Sequence, residues 1–364
     1  MSNLNNISVV LPSLDPDNKL IAVIDGLLEY GFTDIILIND GSKPENLHFF
    51  EEAASHPEVH LLHHVVNRGK GAALKTAFTW ILENRPDSAG VITVDGDNQH
   101  HPEDTRRCAL HMLETGHAVL GVRDFSQDNV PARSRFGNRT TSLVFKFFVG
   151  MTISDTQTGL RALPAETLPL MCKIKGDRFE YETNMLLAFK THSIAFDEVK
   201  IRTVYIEENK SSHFRTVRDS WRIYKLILSY FFKYTLSSLV SSVVEIVLVF
   251  LLNLLLNNLL TGIALTASVT AGARILSSLV NFYSNKKLVF HSHASTRKSL
   301  LRYAILTLVC FVINVGLNEA VYTLFSISAE QELLRTAVHI CVMTVMFFIN
   351  YAVQQRWVFS CAEK

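Results

Sequence analysis

The segment Val91-Ile92-Thr93-Val94 runs directly into Asp95-Gly96-Asp97-Asn98-Gln99, so a β-branched apolar stretch delivers two carboxylates and an amide together at its C-terminal end. Asp95 and Asp97 lie two apart and share a face of an extended chain. Hard oxygen ligands of this kind suit Mg²⁺ or Mn²⁺ carrying a phosphate, which makes a diphosphate-bearing substrate the natural expectation. An isolated pair of this spacing is equally a solvated turn rich in Asp, Gly and Asn. Its companions elsewhere in the chain must decide.

The elements that would position these residues follow from hydrophobic pattern. Short apolar runs at 7–11, 34–38, 59–62, 90–94 and 118–120 read as strands, with helical patterns between them. Such alternation implies βαβ units and a mostly parallel, Rossmann-like α/β sheet whose strand C-termini gather on one edge, where an open sheet binds its ligands. Four polar signatures follow those ends: Pro12-Ser13-Leu14-Asp15, Asn39-Asp40-Gly41-Ser42, Asn67-Arg68-Gly69-Lys70-Gly71 and the Asp95 to Gln99 group. Asp40 is placed either to accept a hydrogen bond from a base N–H or ribose hydroxyl, or to cap a turn. The 67–71 segment joins two glycines to a helix start whose free N–H groups would face an anion, with Arg68 and Lys70 adding charge. It is neither a P-loop nor a G-x-G-x-x-G fingerprint.

Arg123, Arg133, Arg135 and Arg139 supply fixed cations after the last of these strands, and arginine forks suit a phosphate. The alternative is a cationic surface helix. A basic stretch, Asn209-Lys210-Ser211-Ser212-His213-Phe214-Arg215, precedes the first long apolar span and has the character of a lid. His60, His63, His64, His100 and His101 lack a matching partner cluster for zinc, and Pro102-Glu103-Asp104 reads as a helix start beside a capping or supporting His100.

Taken in order, the strand ending at Pro12, Asn39-Asp40-Gly41-Ser42, Asn67 to Gly71, Asp95 to Gln99, Gly121-Val122-Arg123 and Asp155-Thr156-Gln157-Thr158-Gly159-Leu160-Arg161 resemble the signatures of family 2 glycosyltransferases with a GT-A fold. The resemblance covers about residues 6–215 and is to the polyprenyl-phosphate, dolichol-phosphate-mannose-synthase-like branch. It implies that Pro12, Asp15, Asp40, Lys70 and Asp95 hold the donor nucleotide-sugar. It further implies that Asp97 and Gln99, with Asp95 toward the donor, handle a Mg or Mn divalent cation, and that the acceptor is a lipid phosphate. Arg123, Arg135 and Asn138 fall where the family holds that phosphate, Asn138 replacing a serine, and Lys210 and Ser212 fall in its phosphate-closing loop. Asp155 takes the place of a base or acceptor orienter, with Glu180 and Glu182 as alternatives. Two departures stand out: Pro12-Ser13-Leu14-Asp15-Pro16 lacks the usual aromatic, and Asn39-Asp40 has one carboxylate fewer than the family's paired aspartates.

The implied reaction is direct displacement at the anomeric carbon with inversion. A phosphate monoester with its second pKa near about 6 is already mostly dianionic at neutral pH, so a general base is not obligatory. Positioning of the acceptor and neutralisation of the leaving diphosphate would then carry catalysis, with Asp155, Asp97, Arg123 and Arg135 as the catalytic set.

Composition places this chemistry at a membrane. A mean hydropathy of +0.19 with 19% charged residues is too apolar for an ordinary soluble chain of 364 residues. Four apolar spans near 236–256, 263–283, 303–325 and 337–355 are each close to the ~20 residues a bilayer-crossing helix needs. The expected division is a glycosyltransferase domain over 1–215, a juxtamembrane segment over 216–233 and a four-helix membrane domain over 234–364. Basic residues at Lys233, Lys286, Lys287, Arg297, Lys298, Arg302 and Arg356 lie on one side, which by the positive-inside rule puts both termini and the catalytic domain on the cytoplasmic face of the inner membrane. No cleavable leader is read at the N-terminus. Five cysteines without C-x-x-C spacing argue against a disulfide framework, and no basic stripe interleaved with aromatics supports a nucleic-acid partner.

Tyr234-Thr235-Leu236 matches Tyr303-Ala304-Ile305, and Asn281 to Phe290 matches Asn350 to Phe359, both at an offset of 69 residues. A hairpin repeated in one orientation is a parallel duplication. It resembles a GtrA-like domain, which implies a role beside polyprenyl-phosphate glycosyltransferases, lipid-linked sugar translocation included. Glu245 and Arg274 each lie 11 residues inside the span ends, about 16 Å deep at helical rise, and are placed to pair. Their repeat equivalents, Asn314 and Met343, carry no charge. Gln354-Gln355-Arg356-Trp357 is one residue short of the Q-x-x-R-W of processive polymerases, and the repeat accounts for it as a helix end.

The expectation is therefore a membrane-bound inverting hexosyltransferase acting from a UDP-sugar onto polyprenyl (undecaprenyl) phosphate for cell-envelope glycosylation, in a form that admits a homo-oligomer. The alternatives are a lipid-sugar translocator whose catalytic half is weak or regulatory, and a nucleotidyltransferase on a membrane anchor, which would release pyrophosphate.

Overall fold

The computed structural model describes residues 4–127, 130–203, 216–292 and 294–360. The chain forms two compact units, one of residues 1–146 and 151–224, the other of 147–150 and 225–364. This differs from the expected boundaries in two ways: the division falls inside a long helix, and four residues of the catalytic half belong to the second unit.

The first unit is built on a seven-stranded sheet in the order β3-β2-β1-β4-β6-β5-β7. Its strands are β1 (Ile7–Ser13), β2 (Ile35–Asp40), β3 (Val59–His64), β4 (Gly90–Thr93), β5 (Ala118–Arg123), β6 (Arg161–Pro164) and β7 (Phe196–Ile201). All five anticipated strands are present. Val9, Val10, Leu11, Ile35, Ile36, Leu37, Ile38, Val91 and Ile92 are fully buried, as expected of parallel strands covered on both faces. The covering helices are α1 (Lys19–Glu29), α2 (Leu47–Ala53), α3 (Lys70–Asn84), α4 (Pro102–Thr115), α5 (Ala132–Val144), α6 (Leu168–Met171) and α7 (Glu180–Thr191). Among the described residues only β6 runs antiparallel, between β4 and β5. Sequence pattern hid β6 because its four residues open on an arginine and close on a proline. α4 starts as expected: Pro102 occupies its first turn, and His101 Nδ1 accepts the Glu103 N–H at 3.2 Å.

The second unit contains the spans, carried by α8 (Thr216–Leu256), α9 (Gly262–Ser284), α10 (Thr296–Leu324) and α11 (Glu332–Val353). Four helical stretches, Ile227–Leu256, Gly262–Val289, Thr296–Leu324 and Glu332–Val358, are long and apolar enough to cross a bilayer. The duplication is visible in three dimensions. α9 ends in a π-helical turn at Asn285–Val289 and α11 in another at Gln354–Val358, repeat-equivalent positions. Asn285 Nδ2 donates to Gln354 Oε1 at 3.0 Å, so two equivalent residues meet each other. Around them the two equivalent tyrosines are bonded differently: Tyr303 donates to Asn281 Oδ1 at 3.1 Å, whereas the hydroxyl of Tyr234, the counterpart of Tyr303, accepts from Gln354 Nε2 at 3.4 Å. Phe290 stacks on its own equivalent Phe359 with 5.2 Å between ring centroids.

Candidate active site

The loops at the strand C-termini of the first unit are linked to one another by several of the polar residues that the sequence singles out. At one end, Asp15 has a left-handed backbone (φ 47°) and its Oδ1 accepts the Lys43 N–H at 2.8 Å and the Asn46 amide at 3.2 Å, while its own N–H donates to Ser42 Oγ. Pro12, inside β1, pairs in register with Ile38. Asp15 therefore ties the β1 loop to the β2 loop.

Asp40 faces inward rather than outward. Its carboxylate is buried and accepts the Arg68 N–H at 3.0 Å and the Gly69 N–H at 2.7 Å, with His64 Nδ1 at 2.6 Å from Oδ1. His64 Nε2 lies 2.9 Å from Thr76 Oγ1 and braces the pair from α3. Of the two readings of Asp40, a base or ribose contact and a turn cap, the structure shows the second: it holds the 67–70 loop through the Arg68 and Gly69 N–H groups, which precede the helix start at Lys70. The next donor along α3, the Ala72 N–H, is taken by the Asp177 carbonyl at 3.0 Å.

Lys70, the first residue of α3, links that loop to the β4 end. Its ammonium sits 2.7 Å from Asp95 and 2.9 Å from Glu182. Burial alone would lower the Lys70 pKa, but the two carboxylates hold it above the ordinary lysine range. Burial likewise opposes Asp95, yet Lys70 and then His100, whose Nε2 is 3.7 Å away, keep its carboxyl well below the usual range. Gly159 presses on the other side of Asp95: a Cβ there would fall 2.2 Å from Oδ2, so this position needs glycine. Glu182, weighed in the sequence only as an alternative base, is instead the second counter-charge of Lys70.

Asp97 contrasts with Asp95. Burial, followed by repulsion from Asp95, pushes its carboxyl above the ordinary range. Its Oδ1 accepts the Gln99 N–H at 3.1 Å, in a turn that puts Asn98 at φ 59°. Among the described residues no group of three or more His, Cys, Asp or Glu is gathered to hold a metal. The chemistry of the donor set nevertheless fits a divalent cation, because two neighbouring carboxylates, one of them disfavoured by burial and like charge, gain when a cation joins them.

Across β6 and β5 lie Arg123 and Asp155. Arg123 Nε donates to Asp155 Oδ2 at 2.7 Å and Nη2 to Oδ1 at 3.2 Å, a fork on a carboxylate with no solvent exposure. Both oxygens of Asp155 therefore accept from Arg123. Oδ1 also accepts the Gln157 N–H at 3.1 Å. A cleft of about 410 Å³ opens beside this pair, lined among others by Arg123, Asn138, Arg139, Ser154, Glu198 and Lys200. Asn138 donates to the Ser154 carbonyl at 2.7 Å and Ser154 in turn donates to Glu198 from its N–H and its hydroxyl. Arg135 does not line the cleft; its Nη2 donates to the Gln127 carbonyl at 2.8 Å. Lys210 and Ser212, with His213 and Arg215, lie outside the described residues.

Arg161 was not singled out by its chemistry. Its side chain is buried, with Nε donating to the Thr158 carbonyl and Nη1 to the Glu182 carbonyl, and burial lowers its pKa. It fixes the backbone that carries both Gly159 and Glu182. An arginine closing a Thr-Gly-Leu turn was the available signal. In the second unit, Glu245 and Arg274 do meet: Arg274 Nη1 donates to both carboxylate oxygens at 3.2 and 2.9 Å, and Ser277 donates to Oε2 at 3.1 Å.

Residues 8–166 match the model for glycosyl transferase family 2, and residues 233–359 match that for the GtrA/DPMS transmembrane domain. The chain is 24% identical over 221 residues to the UDP-N-acetylglucosamine–dolichyl-phosphate N-acetylglucosaminyltransferase of Methanococcus voltae, covering 55% of this chain and 86% of that one. It is 26% identical over 182 residues to the undecaprenyl-phosphate mannosyltransferase of Micrococcus luteus, covering 48% and 72%. Among solved structures it is similar to glucosyl-3-phosphoglycerate synthase of Mycobacterium tuberculosis with Mn²⁺, UDP-glucose and phosphoglyceric acid, at TM-score 0.47, 17% identity, and coverage of 61% and 78%.

Proposed function

We propose that this chain, whose residues 8–166 match glycosyl transferase family 2 and whose residues 233–359 match the GtrA/DPMS transmembrane domain, transfers a hexose from a UDP-sugar to polyprenyl phosphate, with inversion, at the cytoplasmic face of the membrane. The observation that carries the reading is the row from Lys70 through Asp95 and Asp97 to the Arg123–Asp155 fork, which sets a cation-binding carboxylate pair and a basic cleft along one sheet edge. Relatives that use polyprenyl-phosphate acceptors support the acceptor class.

Asp97 and Gln99 would hold a Mg²⁺ or Mn²⁺ ion, with Asp95 toward the donor, and the ion when bound supplies charge neutralisation for the leaving diphosphate. Lys70 shares in that neutralisation from the opposite side. Asp15 and Asp40 act on the nucleoside indirectly, by fixing the loops that would border it. Arg123, Arg139 and Lys200 draw the acceptor phosphate into the cleft, and Asp155 sets the angle of the Arg123 fork. The acceptor enters as a dianion, so no side chain need remove its proton. Arg135 and Asn138 support the floor of the cleft.

The test is mass measurement of lipid product after incubating membranes containing the full chain with undecaprenyl phosphate, Mn²⁺ and a panel of UDP- and GDP-sugars. A polyprenyl-phosphate hexose with release of nucleoside diphosphate is expected. Release of pyrophosphate, or no lipid product with any donor, overturns the reading.

A further inference from the structure

Within the second unit, Glu245 lies inside the span Ile227–Leu256 and Arg274 inside the span Gly262–Val289, each about three helical turns or more from either end. At helical rise that places both about 16 Å or more deep in a hydrocarbon core about 30 Å thick. Arginines near helix ends lift their heads to the interface; from this depth Arg274 does not. Charges so placed as a rule face the bundle interior. The Arg274 side chain is instead 67% exposed, while that of Glu245 is half-buried beside it. Both bonds to Glu245 come from Nη1, and among the described residues Nε and Nη2 donate to nothing.

The duplication shows that the hairpin fold does not require this pair. The second hairpin is built to the same plan with Asn314 and Met343 at the equivalent positions, neither of them charged. The pair therefore answers to something outside its own hairpin. A groove of about 360 Å³ runs beside it, lined by Ser242, Glu245, Ile246 and Val249, which share one face of α8. α8 alone lines this groove, so it opens outward and not between helices of the bundle. On α9, Ala264, Ala267 and Ala271 are exposed at the alternating three- and four-residue spacing that continues to Arg274. Side chains that small let a second helix come close to the guanidinium.

We infer that this face of α8 and α9 is the contact between two copies of the chain, in which Arg274 of each copy reaches Glu245 of the other. A two-fold contact sets a surface patch against itself, so a patch with one guanidinium and one carboxylate is complementary to its own copy. The four charges close into a ring in which each guanidinium is shared by two carboxylates and the donors left over within one copy are used by the other. Lipid does not supply this: head groups stay at the interface, and acyl tails offer no acceptor. The contact lies in the membrane unit alone and is independent of the transfer chemistry.

The experiment uses the full chain in its own membranes and in copolymer nanodiscs that retain its lipids. In a chain whose five cysteines are replaced by serine, Ala271→Cys is oxidised in the membrane beside a control on α10, Val312→Cys. A covalent dimer is expected from Ala271→Cys and not from Val312→Cys, and mass photometry of the parent in nanodiscs is expected to show dimers. Exchanging the charges, Glu245→Arg with Arg274→Glu, keeps the pair within each copy and the ring between like copies, but sets like charge against like in a mixed dimer with the parent. Coexpressed under different tags, parent and exchanged chain are expected to form mixed dimers at least about tenfold below the statistical share. A monomeric parent, no crosslink at Ala271→Cys, or an equal crosslink at Val312→Cys overturns the interface. Mixed dimers at the statistical share overturn the ring. If the exchanged chain fails to assemble, Glu245→Leu with Arg274→Leu, which strands no charge, carries the test: its dimer fraction is expected to fall by about tenfold, and an unchanged fraction overturns the ring. A different protein crosslinked at Ala271→Cys in place of the dimer overturns the second copy as occupant.

Discussion

The sheet edge and the membrane bundle solve the same problem, burying polar groups, by opposite means. Along the sheet edge every carboxylate has a cationic or backbone N–H partner: Asp40 on Gly69, Asp95 and Glu182 on Lys70, Asp155 on Arg123. The bundle, apart from the Glu245–Arg274 pair, instead joins neutral amides and hydroxyls between its two hairpins, Asn285 to Gln354 and Tyr303 to Asn281. Ion pairs concentrate field where charge must later be handled, but a missing partner leaves an uncompensated charge. Amide pairs cost little to lose and specify which helix faces which. The first arrangement suits chemistry and the second suits assembly.

Substitutions separate the two. Asp97→Asn removes the carboxylate with the most to gain from a divalent cation, and transfer to undecaprenyl phosphate is expected to fall by about 10³-fold, as for loss of a charge-stabilising group in other transfer sites. Chelation with EDTA should mimic it in the parent, and a variant that retains full transfer with Mn²⁺ breaks the assignment of that residue. Lys70→Met strands Asp95 and Glu182 together, at a cost of about 3 kcal/mol seen as a lowered unfolding midpoint of the full chain in detergent. Adding Asp95→Asn and Glu182→Gln to it should recover most of that loss; a triple variant as unstable as the single one would show that Lys70 is held by packing alone. Arg123→Lys keeps the charge and loses the fork, and about a tenfold drop in transfer with little change in stability is expected. The smallest effect belongs to the bundle: Asn285→Leu should cost about 0.6 kcal/mol, and pairing it with Gln354→Leu should cost no more. A bundle loss as large as that of Lys70→Met would erase the contrast.

Much of the sheet edge was legible because periodicity and function coincide there. Apolar strands announce themselves, and residues directly after them must lie on the edge, which is how Asp15, Asp40, Lys70, Asp95 and Arg123 were found. Their partners were not legible. Glu182 comes from a helix more than 80 residues beyond Asp95, and nothing local marks it as the counter-charge of Lys70. Asp40 is placed on the right loop with two roles open, base contact or turn cap, because a glycine-rich loop that binds an external phosphate and one that binds an internal carboxylate have the same composition. The repeat at an offset of 69 predicted equivalent helix ends; that those ends would meet each other, or that Phe147 and Phe148 would leave the catalytic unit, depends on packing that spacing alone does not encode.

The meeting of Asn285 with Gln354 bears on how the protein is made. When only the first hairpin has been made, the Asn281 and Asn285 amides and the Tyr234 hydroxyl lack the second-hairpin groups that they meet in the finished bundle. The second hairpin completes all three together, so the membrane-edge end of the first hairpin reaches its final bonding only once the whole bundle has been synthesised.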